Sequence, residues 1–126
     1  MQERKKKLWS DLDTATRELT RFTAGVGLEQ FLMDRALQLI VEREFEIVGE
    51  ALHRLIRIDP TVEARIPESR RIIGLRNVLA HGYDSVDYRI LWSAVADHLP
   101  KLIRPLSSAL GICPLAWLVR LRPASP

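Results

Sequence analysis

The sequence has few cysteines and no long hydrophobic run. Its single cysteine, Cys113, cannot form an internal disulfide, so the fold does not depend on an oxidising compartment. The basic N-terminus is followed at once by Asp11 and Asp13, which argues against an export signal. The apolar stretch 115–119 is too short to cross a bilayer. We therefore expect a protein of the reduced cytoplasm that does not bind a membrane.

The chain also lacks the patterns of several enzyme classes. It shows no β alternation, no glycine-rich phosphate loop and no internal repeat. His53 and His98 have no metal-ligand spacing to the remaining histidine and are interpreted as surface or helix-face residues. Trp9, Trp92 and Trp117 are interpreted as packing anchors. We expect neither a metal nor a cofactor.

The positive charge of the chain is concentrated in one segment. The net charge is +3, and residues 54–76 alone carry six arginines against three acidic residues. A local basic field of this kind attracts polyanions such as nucleic acids. A solvated face with arginines spread around two helices explains the same charges, so charge alone leaves both interpretations open.

Apolar residues at intervals of three and four predict four main helices in a chain long enough to form its own core. The four apolar stripes are Leu8, Leu12, Ala15, Leu19 and Phe22; Leu37, Val41, Phe45, Val48, Leu52 and Leu55; Ile72, Leu75, Val78 and Leu79; and Leu91, Ala94, Val95, Leu102, Leu106 and Leu110. Residues 28–33 predict one additional short turn. The pattern predicts an all-α bundle over residues 1–111, followed by a proline-containing tail at residues 112–126.

Punctuating residues predict where these helices begin and end. Gly82 is placed to cap the third helix, a short polar turn lies at 84–85, and Asp87 is placed as the N-cap of the fourth helix. Pro100 and Pro105 should kink or divide the fourth helix, because each lacks a backbone donor.

Residues 76–83 carry the most chemistry of any stretch, with Arg76, His81 and Tyr83 within eight positions. An arginine can bind a phosphate through its planar fork of donors, and a histidine changes charge near neutral pH. Together they suggest chemistry on a phosphodiester. Asn77, one turn before His81, can orient the imidazole or contact a phosphate. The structural alternative is a solvated arginine, a histidine that ends a helix and a packed tyrosine ring.

Helical geometry adds two expectations about this stretch. Arg76 and His81 are separated by about 140° around a helix and about 7.5 Å along it, so one helix presents them to a substrate imperfectly. Two subunits with their third helices side by side would pool both pairs, which predicts a homodimer with the site at its interface. Glu50, on the second helix, can either orient Arg76 or bind Arg54, and the sequence favours neither.

The stretch resembles the Arg-x4-His-x-Tyr motif of HepT-type toxins within the HEPN ribonucleases. Residues 46–51 resemble the second-helix segment of that family, residues 83–92 resemble the segment directly after its motif, and residues 97–100 resemble its late helix. The resemblance runs in matching order from about residue 8 to 110, and the tail from Ile112 departs from it.

The resemblance implies a HEPN-type four-helix up-down bundle that acts as a dimeric, metal-independent endoribonuclease toxin on tRNA or mRNA. Arg76 and His81 would be catalytic, with Asn77 and Glu50 as supporting residues. The toxin would belong to a type VII-like toxin–antitoxin system, in which an MNT-type nucleotidyltransferase antitoxin attaches AMP to Tyr83.

Two other functions fit the same sequence. The first is a non-catalytic HEPN helical module that binds a nucleotidyltransferase or a nucleotide. The second is a basic RNA-binding protein without chemistry.

Overall fold

A computed structural model describes residues 2–81 and 86–111. Within them the chain is helical and contains no β-strand, which confirms the all-α fold class. The helices are α1 (Gln2–Thr23), α2 (Leu28–Met33), α3 (Arg35–Ile58), α4 (Thr61–Arg65), α5 (Ser69–His81), α6 (Tyr88–Ser93) and α7 (Leu99–Leu110), with a π turn at Ala94–His98. No helix in this part of the chain is long and apolar enough to cross a membrane.

Helix α3 lies at the centre of the bundle, with α1 and α5 packed against it. The Nζ atom of Lys5 lies 2.7 Å from a carboxylate oxygen of Asp59, just past the end of α3. Glu18, four turns further along α1, interacts with Glu44 near the start of α3. Helices α1 and α3 therefore run antiparallel.

The predicted apolar stripes form the core with two exceptions. Most of their members are fully buried, including Leu12, Leu19, Phe45 and Leu52. The prediction was wrong for Phe22 and Val78, whose side chains are 37% and 62% exposed. At the end of α1 the core position is taken by Thr23, and the guanidinium of Arg21 covers the Phe22 ring from 5.0 Å. Val78 is exposed because α5 buries a narrow side, centred on Ile72 and Ile73.

The fourth predicted helix is divided into α6, the π turn and α7. The N-cap prediction is confirmed, since the carboxylate of Asp87 accepts a hydrogen bond from the backbone N–H of Arg89 at 3.0 Å. The division falls just before Pro100, which lies in the first turn of α7, where a missing N–H does no harm. Helix α7 continues through Pro105, so this proline does not divide the helix. Its missing donor leaves the carbonyl of Lys101, an exposed residue, for water.

Several predictions fall outside the described residues. These are the Gly82 cap, the polar turn at residues 84–85, the position of Tyr83 and the tail at residues 112–126, which includes Cys113 and Trp117.

A buried carboxyl group lies between α1 and α3. Glu44 is only 8% exposed, and its Oε2 atom has no hydrogen-bond partner within the described part of the chain. Burial, reinforced by the charge of Glu18 and a hydrogen bond to it, raises the pKa of Glu44 to about 7. A carboxyl group protonates more readily in the folded protein than in the unfolded chain when its charged form is desolvated.

We expect Glu44→Gln to stabilise the protein at alkaline pH. Because the folded state holds this proton up to about pH 7 and the unfolded chain releases it near pH 4.5, the wild-type protein loses stability as the pH rises between these values. The gain of the variant over wild type should grow by about 1–2 kcal/mol from pH 4.5 to pH 8 in urea unfolding. Glu29→Gln, an exposed change of the same kind, is the control, and a gain that does not vary with pH would contradict the assignment.

Candidate active site

The backbone of Arg76 approaches α3 closely at Gly49. A Cβ atom built on Gly49 would lie 2.3 Å from the Cβ and 2.9 Å from the Cγ of Arg76. It would also lie 3.2 Å from the backbone oxygen of Ile72. No side chain other than hydrogen fits in this space. The glycine in the middle of α3 therefore lets α5 sit close enough to lay the stem of Arg76 against the helix.

The guanidinium of Arg76 is held by two acceptors. Its Nη2 donates to Oε2 of Glu50, and its Nη1 donates to Oδ1 of Asn77 at 2.7 Å. An arginine has five N–H donors, and the remaining three of Arg76 make no hydrogen bond within residues 2–81 and 86–111. The side chain is 28% exposed, so the remaining donors can reach a ligand.

Glu50 makes both of the contacts between which the sequence could not choose. One carboxylate oxygen binds Arg76, and the other accepts from Nε of Arg54 at 2.6 Å. The hydrogen bond from Arg54 lowers the pKa of Glu50, and burial opposes this while Arg76 adds to it. The carboxylate is therefore ionised at neutral pH and fixes two guanidinium groups side by side.

His81 is the last residue of α5 and is exposed. Its imidazole makes no hydrogen bond or ion pair with any residue that the structure describes. Helix α5 is continuous from Ser69 to His81, so the expected angular separation of about 140° from Arg76 applies. Arg76 faces α3, and His81 lies on another side of the helix.

His81 belongs to an uncovered stripe on α5. Gly74, Val78 and His81 are spaced by four and three residues, which places them within about 60° of each other around the helix. All three are exposed, and no described atom lies within 4 Å of a Cβ built on Gly74. One chain therefore presents Arg76 in a groove and His81 on an open helical face.

Two grooves meet at the ion pair of Arg76 and Glu50. The first has a volume of about 360 Å³ and also contacts Asp11, Arg43, Glu46 and Ala80, so it leads towards the His81 end of α5. The second has a volume of about 520 Å³ and is lined by Arg4, His53, Arg54, Arg57 and Ile58 besides the pair. We call the second one the basic groove.

Sequence reasoning missed three residues of this site. Gly49 could have been found, because a glycine inside a strong helical pattern signals close packing. Arg4 and Arg57 gave no such signal, since they come from the ends of different helices. His98, interpreted as structural, lies with its Nδ1 atom 2.9 Å from a carboxylate oxygen of Glu68 and is not among the residues that line either groove.

Similarity to known proteins identifies the family. The family described as "Ribonuclease HepT-like" matches residues 12–109. The chain belongs to the HepT-like ribonuclease family. It is 32% identical over 102 residues to a probable ribonuclease HepT of Thermococcus cleftensis, which covers 81% of this chain and 92% of that protein. It is 30% identical over 92 residues to a putative RNase of Methanocaldococcus jannaschii, which covers 73% of this chain and 84% of that protein. No solved structure matches the chain.

The matched span of this HepT-like chain contains the whole candidate site except one residue. Gly49, Glu50, Arg76 and His81 all lie between residues 12 and 109, whereas Arg4 lies before the matched span. The family assignment therefore covers the ion pair and the uncovered stripe of α5. The contribution of Arg4 to the basic groove comes from outside it.

Proposed function

We propose that this HepT-like protein is an endoribonuclease that cleaves RNA without a metal ion, with Arg76 and His81 as its catalytic residues. The observation that carries the proposal is the Arg76 guanidinium, which is fixed by Glu50 and Asn77 while it keeps free donors towards an open groove. A preorganised cation of this kind suits the charge that develops on a phosphate during cleavage.

The reaction uses a nucleophile that RNA itself carries. The 2′-oxygen attacks the neighbouring phosphorus while its proton is removed, and the bond from phosphorus to the 5′-oxygen breaks. The 5′-oxygen takes up a proton, so the products are a 2′,3′-cyclic phosphate and a 5′-hydroxyl. His81 is the side chain that moves the proton, and Arg76 binds the non-bridging oxygens as their charge grows.

The active form that we propose is a homodimer in which the uncovered stripes of two α5 helices face each other. Arg76 and His81 of one chain face different directions, so a single copy does not bring them to one phosphate. A twofold axis along the stripe of Gly74, Val78 and His81 would place each imidazole next to the partner chain. It would also cover Val78, an apolar side chain that is 62% exposed.

Regulation by a partner is the part of the proposal that rests on the resemblance of residues 76–83 to the HepT motif. We propose that the chain is the toxin of a type VII-like toxin–antitoxin system whose antitoxin is an MNT-type nucleotidyltransferase. The antitoxin would attach AMP to Tyr83. The added phosphate would compete with RNA for Arg76, and the added bulk would obstruct the site.

The deciding experiment mixes the purified protein, free of any partner, with total RNA in the presence of a chelator. We expect cutting that leaves cyclic phosphate ends, and we expect a 2′-deoxy substitution at the cleaved position to block it. Cutting that continues at the 2′-deoxy position would refute the proposed route. Tight RNA binding without cutting would select the non-catalytic RNA-binding function, and no cutting with a tight nucleotidyltransferase partner would select the helical module.

We expect Tyr83→Phe to retain RNA cleavage but to escape the antitoxin. The change removes the oxygen that would accept AMP and leaves the ring, so Arg76 and His81 keep their surroundings. The measurement is RNA cleavage by wild type and variant after incubation with the antitoxin and ATP, with mass spectrometry of both. A variant that is still adenylylated and silenced would assign the modification to another residue.

A further inference from the structure

The two grooves that meet at Arg76 differ sharply in charge. The basic groove is lined by Arg4, Arg54, Arg57 and Arg76 against one carboxylate, that of Glu50, which gives a net charge of +3 without counting His53. The first groove holds three arginines and three carboxylates and is neutral overall. A polyanion that reaches Arg76 is therefore drawn into the basic groove.

Two of the arginines in the basic groove have no acidic partner. Glu50 pairs with Arg54 and Arg76, but neither Arg4 nor Arg57 forms an ion pair with any residue that the structure describes. Arg4 and Arg57 are both exposed and come from helices α1 and α3. Arginines that converge without a carboxylate are suited to bind an external anion.

The direction of the basic groove gives these arginines a place relative to the cleaved bond. Ala80, next to His81, lines the neutral groove beside Arg43 and Glu46 near the start of α3. Arg57 lies near the opposite end of α3. The basic groove therefore leads from Arg76 away from the His81 end of α5.

We infer that the basic groove binds the phosphate backbone of the single RNA strand that continues from the cleaved phosphate, with Arg4 and Arg57 on phosphates that flank it. The inference rests on the proposed nuclease function for its orientation. Its ligand is the repeated phosphate of a strand, so binding does not depend on base sequence. The volume of about 520 Å³ lies in the range of ordinary ligand sites.

Binding can be tested without cleavage by using a single-stranded DNA oligonucleotide, which has the phosphates but lacks the 2′-hydroxyl. Affinity for a single strand falls with the logarithm of salt concentration by a slope of about 0.7 per neutralised phosphate. We expect Arg57→Gln to reduce this slope by about 0.7, which makes binding about fivefold weaker at 0.1 M salt when the variants are matched at 1 M salt. Adding Arg4→Gln should reduce the slope by about 1.4.

Arg104→Gln is the matched control, because it removes one exposed arginine from α7 that lines neither groove. We expect its salt slope to equal that of wild type. If Arg57→Gln and Arg104→Gln behave alike, the basic groove does not bind the strand and the inference is overturned. The same conclusion holds if 5′-AMP displaces the oligonucleotide as well as a strand does, since the groove then binds a mononucleotide.

A second measurement separates this inference from the nuclease function. With a long RNA substrate, Arg57→Gln should raise KM about fivefold and leave kcat within about twofold, because the residue binds the strand and does not touch the reacting atoms. With a dinucleotide, which is too short to reach Arg57, both constants should match wild type. Cleavage with unchanged KM on long RNA would overturn the groove and leave the nuclease intact. Weakened DNA binding in a protein that cuts nothing would support the groove and remove the nuclease.

Discussion

Replacing His81 with alanine is expected to slow RNA cleavage by about 10²–10⁴-fold, the usual contribution of a positioned acid or base. Arg76→Ala should slow it by about 10²–10³-fold, because one fixed donor group to the developing charge is lost. Single-turnover cleavage of a labelled RNA in chelator measures both effects. Arg71→Ala, an exposed arginine on the same helix, is the control and should cleave like wild type.

The two variants are expected to differ in stability. His81 is exposed and has no described partner, so its removal should leave the melting temperature unchanged. Removal of Arg76 leaves Glu50 with Arg54 as its remaining partner and empties the space against Gly49, so Arg76→Ala should melt at a lower temperature. A His81→Ala protein that melts normally yet retains full cleavage would refute the catalytic assignment.

Mixing the two inactive variants tests whether the site is shared between subunits. If Arg76 of one chain works with His81 of the other, a mixed dimer of Arg76→Ala and His81→Ala contains one intact pair. Random exchange makes half of the dimers mixed, so about one quarter of the wild-type rate should return. If both residues act within one chain, mixing restores nothing, and the proposed dimeric site is wrong.

The second large effect is expected from Gly49→Ala. The new Cβ would lie 2.3 Å from the Cβ of Arg76, whereas carbon atoms in contact lie about 3.5–4.0 Å apart, so α3 and α5 must separate. Overpacking of this kind destabilises by about 1–3 kcal/mol, partly offset by the better helix propensity of alanine. Because α5 carries Arg76, cleavage should also fall by at least about tenfold.

Gly74→Ala provides the opposite outcome with the same chemical change. Its added Cβ meets no described atom within 4 Å, so the gain in helix propensity is not offset. We expect Gly74→Ala to stabilise the chain by about 0.5–1 kcal/mol while Gly49→Ala destabilises it, as measured by urea unfolding. Equal effects of the two substitutions would show that the close approach at Gly49 does not limit the packing of α5.

The helices could be predicted because their causes are local. Apolar residues at intervals of three and four identified every long helix, and the side chain of Asp87 identified the start of α6. The errors at Phe22 and Val78 have a common origin. Periodicity tells which side of a helix is apolar, but it does not tell how far along the helix the neighbouring elements extend to cover that side.

The sequence by itself determined the all-α class, the boundaries of most helices and the arginine, histidine and tyrosine that resemble the HepT motif, because each depends on residues only a few positions apart. The tertiary structure decided that Glu50 contacts both Arg54 and Arg76, that Gly49 is the point of closest approach, and that the ends of α1 and α3 form a basic groove. These features join residues 26 or more positions apart, as Glu50 and Arg76 are. Only the packing of α1 and α5 against α3 fixes such distances, and no local pattern in the chain encodes them.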